Sequence, residues 1–105
     1  MKAQRRIGKP VRFMSQYPKA YAQYARRAIS KGITFDLTVR TFNDIRALPC
    51  FYCGEDGGTI DRKDSTKGYT IQNSLPCCKI CNMMKWTATI PQFLAQVQKI
   101  SNHTK

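Results

Sequence analysis

At 105 residues the chain is long enough for one modest core and short enough to want a staple, and its 42% hydrophobic content is too high for a disordered segment. Eighteen Lys and Arg against six acidic residues give a net charge of +12, which suits a polyanion, with nucleic acid the default partner. No apolar run approaches membrane-spanning length and the basic N-terminus lacks the apolar stretch of a secretion signal, so a cytoplasmic protein, neither secreted nor membrane-bound, is expected.

The charge is segregated along the chain. Residues 1–31 carry nine basic side chains and no carboxylate, while all six acids fall between Asp36 and Asp64. Residues 1–16 read as a basic, flexible arm, and Arg5, Arg6, Lys9 and Arg12 on it are candidate phosphate contacts, with Arg26 and Arg27 further on. A solvated basic face that only keeps the protein soluble fits this density less well.

A helical lead-in is expected over residues 17–48. Its first helix starts near Pro18, with Tyr21, Tyr24, Ala25, Ala28 and Ile29 on one face and Gly32 as its stop. The two tyrosines on that stripe read as core. A second helix fits Val39 to Leu48, capped by Thr38 and ended by Pro49, with Val39, Phe42 and Ile45 inward. From Cys50 to Cys81 the helical period vanishes. Thr59-Ile60-Asp61 reads as a short strand, Lys63 to Gly68 as a polar loop, and Tyr69-Thr70-Ile71 as the returning strand. A helix then runs from about Cys78 through Asn82 toward Trp86. The last helix opens on a capping box, Thr89-x-x-Gln92, with Ile90, Phe93, Leu94, Val97 and Ile100 on one side, before a frayed tail.

Cysteine carries the strongest signal. Five cysteines in a chain expected to be intracellular favour metal over disulfides, and the odd count agrees. Cys50-x-x-Cys53 and Cys78-x-x-Cys81 are separated by 24 residues, and two such pairs converge on one tetrahedral ion, a structural zinc. Cys77 could replace Cys78 with one more intervening residue; the two-residue spacing favours Cys78 and leaves Cys77 as a small buried hydrophobe. Four thiolates leave a zinc no open position for chemistry. Its binding, worth ~10–16 kcal/mol in small peptides, is enough to decide whether so short a segment folds.

The run "PCFYCG…GTIDRKDSTKGYTIQNSLPCCKICNMMK", Pro49 to Lys85, resembles the HNH endonucleases of the His-Me finger type, and most of all their phage-encoded zinc-knuckle branch. The preceding "YARRAISKGITFDLTVRTF" is similar to the helical lead-in of those phage proteins. The resemblance implies an α+β fold: a small, zinc-stabilised ββα-metal core over residues 49–102, flanked by N-terminal and C-terminal helices, with 103–105 as a tail. It implies a metal-dependent endonuclease acting on DNA, in the host cytoplasm if phage-encoded, with Asp61 and Asn82 as ligands of a catalytic divalent cation. Asn73 would pin the loop, and Lys85 would lie near enough to meet a phosphate, with Lys63 a further nucleic-acid contact. A carboxylate and an amide oxygen are hard donors suited to Mg2+ or Mn2+. Double-strand cutting by so small a protein would favour a homodimer.

One residue departs from the family pattern. Where the best-known members carry a histidine base after the metal-binding aspartate, this chain has Arg62, whose pKa above ~12 keeps it charged. The single histidine, His103, falls in the C-terminal tail. Three solutions stand open: water attacks while Arg62 clamps the phosphate; Tyr52 or Tyr69 supplies the base or nucleophile; or the site is inactive and the protein a non-catalytic, zinc-stabilised nucleic-acid-binding module. Asp64 is a weaker candidate base, set against an Asx-turn role shaping the loop.

Overall fold

The computed structural model describes residues 17–105, so the candidate contacts Arg5, Arg6, Lys9 and Arg12 lie outside the described residues. The elements are α1 (Lys19–Ser30), α2 (Val39–Arg46), β1 (Thr59–Arg62), a 3-10 turn (Ile71–Asn73), β2 (Ser74–Cys77), α3 (Lys79–Lys85) and α4 (Ile90–Thr104). This is an α+β fold with a small ββα core, β1, β2 and α3, flanked by α1 and α2 before it and α4 after it. Among the described residues no helix is long and apolar enough to cross a membrane.

The apolar stripe of α1 makes the core. Tyr21, Ala22, Ala25 and Ala28 are buried together with Phe35, Leu37, Phe42 and Ile60. Phe42 of α2 is fully enclosed, with the rings of Tyr21 and Tyr24 set edge-on against it at centroid distances of 5.4 and 5.1 Å. Both tyrosines also use their hydroxyls. Tyr21 donates to the carbonyl of Leu37 at 2.6 Å, and Tyr24 accepts the backbone N–H of Ile60 at 3.1 Å, which ties α1 to β1. Thr38 caps α2 by accepting the N–H of Thr41, and the helix closes at Arg46, short of Leu48.

β1 and β2 pair antiparallel, with Thr59 opposite Cys77, Ile60 opposite Pro76, Asp61 opposite Leu75 and Arg62 opposite Ser74. The returning strand is therefore Ser74–Cys77 and not Tyr69-Thr70-Ile71. Tyr69 instead forms an isolated parallel bridge with Phe35, its N–H donating to Thr34 and its carbonyl accepting from Asp36, both at 2.8 Å. The Thr70 hydroxyl then accepts the Asn73 N–H and turns the chain through one 3-10 turn before pairing begins. Gly68 is required at this approach, because a Cβ there would stand 2.5 Å from the Thr34 carbonyl oxygen.

The capping box at Thr89 and Gln92 forms at the start of α4, which runs on to Thr104 through residues expected to fray. Of its apolar stripe only Phe93 is buried; Leu94, Val97 and Ile100 remain exposed.

Phe42 carries a direct stability test. Phe42→Ala should cost about 3–5 kcal/mol, the usual loss for an enclosed aromatic, measured by chemical denaturation with metal present. A loss below about 1 kcal/mol would show that the α1–α2 core is not what holds β1.

Candidate functional site

The sulfurs of Cys50, Cys53, Cys78 and Cys81 all lie within 4.8 Å of one another, forming a group able to hold a metal ion. Cys53 and Cys78 are 3.7 Å apart at sulfur, close to the ~3.8 Å edge of a tetrahedron with ~2.3 Å metal–sulfur bonds. The first pair closes in a tight turn, where the N–H of Gly54 donates to the Cys50 carbonyl at 3.0 Å and Gly54 takes a φ of 79°. The second pair opens α3: Cys78 is its N-cap, and its sulfur accepts the N–H of Cys81. Burial works to raise the Cys50 thiol, but backbone N–H groups of Cys53, Cys78 and Tyr52 outweigh it and bring the pKa down to about 6. Cys77 lies outside the cluster, fully buried on β2, and burial pushes its thiol up.

Asp61 sits inside the fold, 4% exposed. Its Oδ2 accepts the Tyr52 hydroxyl at 2.6 Å, and its Oδ1 accepts Lys85 Nζ at 3.2 Å. Lys85 is 1% exposed and also donates to the Arg62 carbonyl at 3.1 Å. The sequence reading of Lys85 as a phosphate contact is thus corrected: its ammonium is enclosed against Asp61, where a buried carboxylate needs a partner. Tyr52, between the first two cysteines, is packed edge-on by Phe93 of α4 at 5.3 Å. Burial, followed by its bond to Asp61, pushes the Tyr52 phenol up, so it stands as a donor.

Arg62 lies with its guanidinium carbon 5.3 Å from the centre of the Tyr69 ring, and Nη1 donates to the carbonyls of Ser65 and Lys67. Tyr69 is raised by burial, with Arg62 opposing. Asn73 fastens the same loop from within. Its Nδ2 donates to the carbonyls of Asp64 and Gly68, and its Oδ1 accepts the Asp64 N–H. Asp64 accepts both the hydroxyl and the N–H of Thr66, an Asx-turn that holds its carboxyl below the usual range. Asn82 donates Nδ2 to Thr59 Oγ1 and the Ile60 carbonyl, which locks α3 to β1.

A cleft of about 340 Å3 gathers part of this set. Asp61, Arg62, Tyr69 and Asn82 line it, together with Arg27 of α1, Lys31 at the cap of that helix and Trp86 beyond α3. Tyr52, Asn73, Lys63, Arg26 and Lys85 do not. His103 is exposed on α4. Lys31 and Trp86 had no role assigned from sequence. A single tryptophan one residue beyond Cys-Asn-x-x-Lys was the available signal.

No protein-family model matches the chain. It is 30% identical over 99 residues to the uncharacterized protein R423 of Acanthamoeba polyphaga mimivirus, a match covering 90% of this chain. The chain spans 19% of that relative's length. Among solved structures it is similar to the rare-cutting HNH restriction endonuclease PacI, with a TM-score of 0.61 and 21% identity over 81% of this chain and 76% of that one. The protein therefore has the ββα fold of an HNH endonuclease.

Metal analysis separates the two adjacent cysteines. Cys78→Ser should lose the bound metal and the fold of residues 49–85, whereas Cys77→Ser should keep one metal ion per chain. The reverse outcome would move the ligand to Cys77.

Proposed function

We propose that the protein is a metal-dependent DNA endonuclease of the HNH type. Zinc at the four cysteines is structural, and Asp61 with Asn82 binds a catalytic Mg2+ or Mn2+. The observation that carries this reading is the lining of one cleft by Asp61, Arg62 and Asn82 with the cations Arg27 and Lys31, on the fold PacI shares.

The donors suit a hard divalent cation. An ionised carboxylate offers about four acceptor positions, so Tyr52 and Lys85 do not exhaust Asp61. With the Asn82 amino group committed to β1, its carbonyl oxygen is the ligand on offer. When bound, such a cation supplies charge stabilisation to a phosphoryl group undergoing displacement. The chain's own residues do the rest. A guanidinium carries five donors, so the two carbonyl contacts of Nη1 leave Arg62 able to grip a phosphate while the group stays held at the Tyr69 ring. Tyr69 lines the cleft, whereas the Tyr52 hydroxyl is committed to Asp61, which favours Tyr69 as the phenol that meets substrate. One cleft meets one strand, so cutting a duplex takes two copies.

A second reading has its own observation. Lys85 already compensates the Asp61 charge, which suits a DNA-binding module that holds without cutting.

Nicking of supercoiled plasmid with Mg2+ or Mn2+ decides between them. Asp61→Asn, which keeps a polar partner for Lys85, should abolish nicking while DNA binding and zinc content survive. Arg62→Ala should lower turnover by on the order of 10²-fold, with Arg62→Lys recovering only part. Intact plasmid in every wild-type reaction would leave the binding module in place of the nuclease.

Salt dependence tests the cleft's cations. Replacing Arg27 and Lys31 by alanine should flatten log K against log salt by about 0.9 per lost phosphate contact on duplex DNA. An unchanged slope would place DNA elsewhere on the protein.

A further inference from the structure

Trp86 is the most exposed large hydrophobic residue among those described, at 79%, although an indole ordinarily hides most of its surface. Its backbone is unusual too. It is the single non-glycine among the described residues with positive φ, at φ 49° and ψ −115°, a region that a bulky side chain rarely adopts. Exposure and strain thus meet in one residue, and strain of this kind concentrates at binding sites. Its N–H still closes α3 by donating to the Asn82 carbonyl at 3.1 Å. The helix end therefore needs the backbone of this residue and makes no use of the indole.

The surroundings identify what the ring would meet. Trp86 lines the cleft beside Asn82, and it lines a second groove of about 330 Å3 with Arg27, Lys79 and the exposed Met83. Cations flank it on both sides, and the one carboxylate of either lining, Asp61, is buried and paired. A second copy of this chain would bring another +12 to the same surface. A single strand of nucleic acid matches better, offering phosphates to the cations and flat base faces to the indole.

We propose that Trp86 stacks on a base of the bound DNA strand, beside the phosphate held at Arg62. The protein accordingly prefers DNA with an unpaired base at that point over intact duplex. This rests on the nucleic-acid reading above and adds the contact and the substrate form.

Trp86 is the chain's sole tryptophan, so its emission reports on this ring alone. End-labelled DNA without added Mg2+ or Mn2+ would be titrated as single strand, as duplex with a one-base bulge, and as intact duplex. Label anisotropy measures binding while tryptophan emission measures stacking. Emission should be quenched on saturation with the first two forms and little changed by the third. Trp86→Ala should weaken the first two by about tenfold, the scale for losing one base–aromatic stack, and Trp86→Phe by less. Trp86→Gly should match Trp86→Ala in binding yet melt no lower than wild type, since glycine adopts positive φ freely and a structural tryptophan would melt lower when removed. Binding by anisotropy with unchanged emission, or equal effects of Trp86→Ala on all three forms, would overturn the stacking proposal and leave the DNA reading standing. No binding to any form would overturn both.

Discussion

The four sulfurs gathered from residues 50–81 are the constraint on which the site depends. They join the turn before β1 to the first turn of α3. Each functional position then follows by a short covalent path. Tyr52 lies inside the first pair and is aimed at Asp61; Asn82 follows the last cysteine, with its N–H on the Cys78 carbonyl; Lys85 lies one turn further on. A metal at the cysteines therefore fixes more than the fold. It would tie α3 to the turn before β1, beside the Asn82 bonds to Thr59 and Ile60 that hold the helix on the strand itself.

Inside that frame, Asp61 is held from two sides by groups that differ in kind. Tyr52 brings a neutral donor and Lys85 a charge, and both are withheld from the cleft lining. Removing one partner of a buried ion pair costs more than the pair contributes, because the survivor is left charged and unsolvated. Deleting Asp61 outright would thus strand the Lys85 ammonium in the interior, and loss of activity would be entangled with loss of fold. Asparagine keeps an oxygen for Nζ but not the counter-charge, so zinc content and melting have to be read beside activity in that variant. The same arithmetic explains how a lysine three residues after Asn82 can be interior in a chain so rich in surface cations.

Much of this was legible in the sequence, where the cause is local. The stripe of α1, the Thr38 cap and the Thr89–Gln92 box each rest on residues within a few positions of one another, and each forms; each Cys-x-x-Cys is local too, and its repetition 24 residues on signals that the two pairs meet. What was misread depends on distant partners. Tyr69 to Ile71 alternates like a strand, but Thr34 and Asp36 capture Tyr69 and Thr70 turns the chain, so pairing starts at Ser74. The true strand, Ser-Leu-Pro-Cys, shows no alternation and contains a proline, tolerated because Pro76 turns its backbone to the outer edge, where its carbonyl meets Phe51 and the ladder needs no N–H from it. Lys85 reads as a residue near enough to meet a phosphate, and only Asp61, far away in sequence, encloses its ammonium. No periodicity foretells the backbone of Trp86.

The electrostatics of the cleft come from outside the ββα unit. Asp61, the one carboxylate in the cleft lining, is paired from within by Lys85, so it contributes little to the field at the cleft's mouth. Arg62, Arg27 and Lys31 are left to set that field, and two of the three come from α1 and its C-terminal cap. At physiological salt charges act over roughly 8 Å, so cations must line the cleft itself to draw a phosphate into it. α1 does this while its other face builds the core, and the Tyr24 hydroxyl on Ile60 fixes the helix directly to the strand bearing Asp61. The helical lead-in is in this sense part of the cleft: without it the ββα unit would keep Asp61 and Asn82 and lose Arg27 and Lys31, two of the three cations that line it.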